Sequence, residues 1–183
     1  MKNVIAVAVV FAASLAFGGL RIGTVDMMTL VKRHPNYDAN KTLLQSTEQD
    51  YRKRIDGMRE ELEKLQAEGQ KLAEEYKSPM LSKTAKAKLE EDLTRIQKEF
   101  VAKQQDLRST AMENQDKLSE LEGRLLKIQA DEIKEWIAGF ADDGGYDFVF
   151  DVSAVPFATK DADVTDKVVK YMLAHPRTAK AGE

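Results

Sequence analysis

The chain of 183 residues contains no cysteine. That absence excludes disulfides, thiol nucleophiles and thiolate metal sites together. Aromatic residues make up only 7%, with 10 Gly and 4 Pro, while 32% of positions are charged. Few aromatics, few chain breakers and much charge describe long solvated helices better than a compact sphere. There are two histidines, His34 and His175, each beside a proline at an element end. They read as caps or surface residues rather than as a base or a ligand. No His-x-x-x-His pair, nucleophile elbow or phosphate loop occurs. Gly144-Gly145 follows a helical pattern and precedes a strand, the reverse of a dinucleotide loop. The Asp142-Asp143 pair is explained by turn chemistry, and Asp147 with Asp151 by strand alternation. No catalytic, cofactor-binding or metal-binding residue is therefore expected, and the chain is not read as an enzyme.

Only one long apolar run exists. Lys2 is followed by Val4 to Phe17, interrupted by Ser14, and then by small residues. A basic start, a short apolar stretch and a small-residue exit describe a secretory leader, expected over residues 1–19. The run is too short for a typical membrane span of about 20 residues. An uncleaved anchor is the alternative. Removing the leader takes away Lys2 and leaves 27 basic against 31 acidic residues, a net charge of −4. That balance argues against nucleic acid as the main partner.

Beyond the leader, Leu20 to Val25 reads as a strand, with Asp26 capping a short helix from Met27 to Lys32. From about 38 to 77 the apolar steps alternate three and four through Ile55, Met58, Leu62, Leu65, Leu72 and Tyr76, with Gly69 filling one place. This is a heptad seam among Glu, Lys, Arg and Gln. Ser78-Pro79 breaks it and Ser82 can cap the next helix, so a hairpin tip is expected at about 78–82. The second helix is expected over 83–140, with a seam that turns polar near Lys103, Thr110 and Asn114. That interruption fits a hinge, an ordinary stutter or a stretch where the partner helix is absent. At 1.5 Å per residue the two helices measure roughly 60 and 85 Å.

Tyr146 to Val152 alternates sharply and reads as a strand, Val155 to Thr159 as another, and Asp163 opens a last helix with Val164, Val168, Val169, Met172 and Leu173 inward. The tail from 177 to 183 is expected to be disordered. The expected class is α+β, mostly α: an arm over 36–140 projecting from a small β-rich body built of 20–35 and 141–176. Three short strands are marginal alone and leave bare edges. Several chains are therefore expected to pool them, with Ile22, Val25, Tyr146, Phe148, Phe150 and Phe157 as candidate interface residues.

Several segments, in this order, resemble a known family. They are the secretory leader, Ile22-Gly23-Thr24-Val25-Asp26 with Met27 behind it, the hairpin with its Leu81-Ser82 tip, Tyr146-Asp147-Phe148-Val149-Phe150-Asp151, and Asp163-Val164-Thr165-Asp166-Lys167-Val168-Val169. The chain is similar to the Skp, or OmpH-like, family of periplasmic chaperones over nearly all of its mature length. The resemblance implies a homotrimer with a central β body and three helical arms around a cavity. It also implies an ATP-independent holdase for unfolded outer-membrane β-barrel proteins in the periplasm. Family members are basic, whereas this chain has a pI of about 5.6, which argues against lipopolysaccharide or anionic membrane surfaces as partners. Met80 and Leu81 at the tip either touch clients or close the hairpin. The competing class is a coiled-coil spacer or adaptor of the cell envelope.

Overall fold

The computed structural model describes residues 19–176. The expected leader, up to residue 18, and the expected disordered tail lie outside them. The fold is α+β, mostly α, and the chain divides into two compact units. Among the described residues, one is drawn from 19–30 and 133–176, the other is Val31–Glu132.

In the first unit, strand β1 (Ile22–Val25) pairs in parallel with β2 (Phe148–Asp151). Helix α1 (Met27–Lys32) starts where Asp26 Oδ1 accepts the Met28 and Thr29 N–H groups, at 2.9 and 3.2 Å. That is the expected cap. The last helix, α4 (Thr165–Ala174), buries Val164, Val168 and Met172 against Val25, Leu30, Ile133 and Trp136, the core of this unit. Leu173, expected inward, is 62% exposed, because the buried row advances by four residues and leaves position 173 outside it.

Two expected strands change. Tyr146 does not join β2. Helix α3 (Lys83–Gly144) closes with Gly145 at φ 64°, Tyr146 N–H donating to Ala141 O and Gly145 N–H to Asp142 O. This left-handed glycine cap consumes the Tyr146 donor, so the ladder begins two residues later. Val152 leaves the strand for a 3-10 turn, because the Asp151 side chain accepts the Ser153 N–H. Val155–Thr159 is not a strand: Pro156 has no donor and the Val155 N–H is bonded to Val152 O. Among the described residues the sheet therefore has two strands, not three, extended only by a bridge from Thr24 to Asp163.

The second unit is the hairpin. Helix α2 (Tyr37–Tyr76) and the part of α3 up to Glu132 run antiparallel. Cross-helix neighbours recede in step, Tyr76 with Glu90, Gly69 with Ile96, and Glu61 with Lys103. Ser82 Oγ accepts the Ala85 N–H at 3.2 Å, so the tip and the restart fall where the breakers placed them. Leu65, Leu89 and Ile96 are buried in the seam. The polar interruption leaves α3 continuous, and Thr110 and Asn114 are 4% and 7% exposed. The partner helix covers that stretch rather than being absent from it.

Candidate functional site

The register of the two strands sorts the candidate interface residues. Ile22 lies opposite Phe148 and Thr24 opposite Phe150, so these four share one face of the sheet. Ile22, Phe148 and Phe150 remain 46%, 50% and 43% exposed, and the two rings stack on each other with centroids 5.8 Å apart. The other face is covered within the chain. A Cβ on Gly23 would come within 3.1 Å of Val164 Cγ2, and Val25 is 2% exposed. Val25 thus lies in the core of its own unit rather than at an open surface. Tyr146 lies apart from the open face as well, stacked on Phe140 at 5.3 Å with the Arg21 guanidinium 4.2 Å from its ring. Phe157 is 80% exposed in the loop after β2.

At the hairpin tip Met80 is 93% exposed, while Leu81 is half-buried. The tip therefore presents Met80 to solvent and covers Leu81 in part. Below the tip, Tyr76 donates to Glu90 across the helices. That bond and the Glu90 charge raise the phenol's pKa. Lys103 Nζ reaches Glu61 Oε2 at 2.6 Å. Glu61 is held below the ordinary carboxylate value by that hydrogen bond first and the Lys103 charge second, and Lys103 is raised by the same two causes. Both groups are exposed, so the pair aligns the helices more than it stabilises them.

Among the described residues no group of three or more His, Cys, Asp and Glu is placed to hold a metal ion, and no helix is long and apolar enough to cross a membrane. The family model for "Outer membrane protein (OmpH-like)" matches residues 21–172. The chain belongs to the OmpH-like family. The chaperone protein Skp of Yersinia enterocolitica is 26% identical over 165 residues, which cover 88% of this chain and 91% of that one. A solved chain from Caulobacter crescentus, described as an outer membrane chaperone (OmpH-like), matches with a TM-score of 0.70. Its identity is 16% and the match covers 85% of each chain, so this likeness is one of fold. The OmpH-like match runs from the residue before β1 into α4, and so includes the segments that carried the resemblance apart from the leader.

Two arrangements in this OmpH-like chain were not legible beforehand. His34 is 4% exposed, not a surface residue. Its Nδ1 accepts the Asn36 N–H at 3.0 Å, which leaves the proton on Nε2, 2.8 Å from Glu132 Oε2. The second is a relay between helix starts. Asp26 N–H donates to Thr165 Oγ1, and Thr165 Oγ1 donates to Asp163 Oδ1, at 2.9 and 2.6 Å. The separate capping signals of Asp26 and Asp163 were visible in the sequence, but not their junction through Thr165.

Proposed function

We propose that this OmpH-like chain is an ATP-independent holdase of the periplasm and not an enzyme. In this reading three copies pool their strands into one β body. The helical arms then enclose unfolded outer-membrane β-barrel polypeptides and keep them from aggregating. The observation that carries the reading is the unfinished sheet. A two-stranded sheet is marginal by itself, and here one face holds Phe148 and Phe150 about half exposed. Large apolar side chains in such a row mark a surface made to be covered. The family membership supports the chaperone assignment, and the apolar leader supports export. The net negative charge is consistent with clients that bind through apolar contact rather than through charge steering.

The test is refolding of a urea-unfolded outer-membrane β-barrel protein by dilution, followed by light scattering. The expected result is suppressed scattering at one trimer per client, with no nucleotide present. Unchanged scattering at that ratio refutes the holdase and leaves the envelope spacer as the better account.

A further inference from the structure

The start of α2 depends on one residue that precedes it. Asn36 holds the N-cap position but makes no side-chain capping bond. The donors at that start go to His34 instead. Asn36 N–H donates to the ring Nδ1 at 3.0 Å, and Tyr37 N–H to the main-chain oxygen at 2.9 Å. Pro35 between them has no N–H to place. The first helical bond, from Asn40 N–H to Asn36 O, follows at once. A helix of 40 residues therefore begins on the acceptor nitrogen of an imidazole. That side chain is only 1% exposed, so little solvent reaches it to serve as acceptor in its place.

The other ring nitrogen is committed to α3. With Nδ1 accepting, Nε2 carries the proton and donates to Glu132 Oε2 at 2.8 Å. Glu132 closes the hairpin unit and His34 stands near its beginning, so the tie lies at the end away from the tip. A second proton would change one side of the ring only. An imidazolium donates from both nitrogens and accepts at neither. Nε2–H keeps Glu132, but a new Nδ1–H would face Asn36 N–H, donor against donor. The charges nearby invite that proton. Within one turn along α3 stand Asp131, Glu132 and Glu135 against Lys134 alone, and Glu132 is in contact with the ring. On its own side of the chain His34 has Lys32, Arg33 and Asp38 within four residues.

We infer that His34 is an acid-sensitive clasp at the root of the hairpin. The neutral ring caps α2 and holds α3. Protonation uncaps α2 while Glu132 stays bound, and the first turn of α2, from Asn36 to Asn40, is released. The carboxylate that draws the proton in and the amide that loses its acceptor sit on opposite nitrogens of one ring. That opposition is what makes the contact a switch and not simply a buried hydrogen bond. The inference uses neither the open sheet face nor a client. It goes beyond the holdase reading and does not fall with it.

The test follows amide exchange by NMR in the full mature chain as pH falls from about 7.5 to about 5, the range in which imidazole changes charge. Exchange is taken relative to the intrinsic rate at each pH, and the His34 ring nitrogens report protonation in the same samples. Protection of Asn36 is expected to fall about tenfold as the ring takes its proton, the effect of one lost hydrogen bond. The Ala85 amide, capped by Ser82 Oγ at the tip, is the control and should not change. His34→Asn puts an amide oxygen where Nδ1 was and has nothing to titrate, so its Asn36 protection should be alike at both ends of the range. Glu132→Gln keeps an acceptor for Nε2–H but withdraws the charge, and the release should then need more acid. If His34→Asn does not fold, the wild-type titration and Glu132→Gln decide the matter. A protonated ring with Asn36 protection unchanged overturns the clasp. So does a ring that takes no proton in this range, an equal fall at Ala85, or the same acid response in His34→Asn.

Discussion

Replacing Phe150 with serine isolates the contribution of the open sheet face to assembly. A phenylalanine side chain buries about 200 Å² when fully covered. At 43% exposure Phe150 still has roughly 85 Å² to hide. At about 25 cal/mol per Å² that is about 2 kcal/mol per subunit, and about 6 kcal/mol for three. The assembly constant should then fall about 10⁴-fold, since every 1.4 kcal/mol is tenfold. Association costs common to both proteins cancel in this difference, which makes it firmer than an absolute affinity. Phe150→Asp should do more, because it would bury an unpaired charge. Sedimentation velocity or light scattering on the mature chain across a concentration series reads the result. Leu173→Ser serves as the control, being 62% exposed but on α4 and not on the sheet. Wild-type mass retained by Phe150→Asp at every concentration would refute the placement of the interface. Loss of the oligomer in Leu173→Ser would refute the assignment to the sheet alone.

Other expectations follow from individual residues. His34→Ala removes a buried ring and strips partners from the Asn36 N–H and Glu132. It should lower unfolding free energy by about 2–3 kcal/mol in urea titrations. Asn114→Leu replaces a buried amide, whose Nδ2 is unpartnered among the described residues, by an apolar side chain. The melting temperature should rise, by the amount that about 1 kcal/mol gives. A fall instead would mean that the amide is satisfied in solution. The Glu61–Lys103 pair should respond to pH at both ends. Glu61 is depressed, so its contribution is present at neutral pH and is lost as pH falls through its lowered titration. Lys103 is raised, so its contribution is present at neutral pH and is lost only as alkaline pH passes its raised titration. Glu61→Gln should shrink both limbs of a melting-temperature profile, because Glu61 is also the main cause that raises Lys103, and it should leave the acid response of Glu113 in place. Salt at 1 M should shrink both limbs as well.

The parts of the fold that the sequence conveyed are those set by neighbouring residues. Helix α2 was expected over 38–77 and runs Tyr37–Tyr76, because a heptad seam is a repeat within a single helix. Its end at Ser78-Pro79 and the restart at Ser82 depend on donors within four residues. The alternation Phe148, Val149, Phe150 likewise marked an apolar face before any partner strand was known. The candidate interface list divided along the same line. Ile22, Phe148 and Phe150 emerged on the open face. Val25 and Tyr146 did not, since their cover comes from core contacts with Val164 and its row, and from Phe140 and Arg21.

By itself the sequence determined the helical hairpin, its tip, the capped helix starts and an aromatic strand in need of cover. Each of these is a matter of periodicity or of hydrogen bonds over a few residues. Only the tertiary structure decided which donors were already taken. Tyr146 N–H goes to the helix end rather than to the sheet, and Val155 N–H to its own turn. That is why two strands form where three were expected. It also decided the parallel pairing of Ile22 with Phe148 and the contact of His34 with Glu132, 98 residues on. Such pairings join segments far apart in the chain, and no local pattern specifies which buried donor will meet which acceptor.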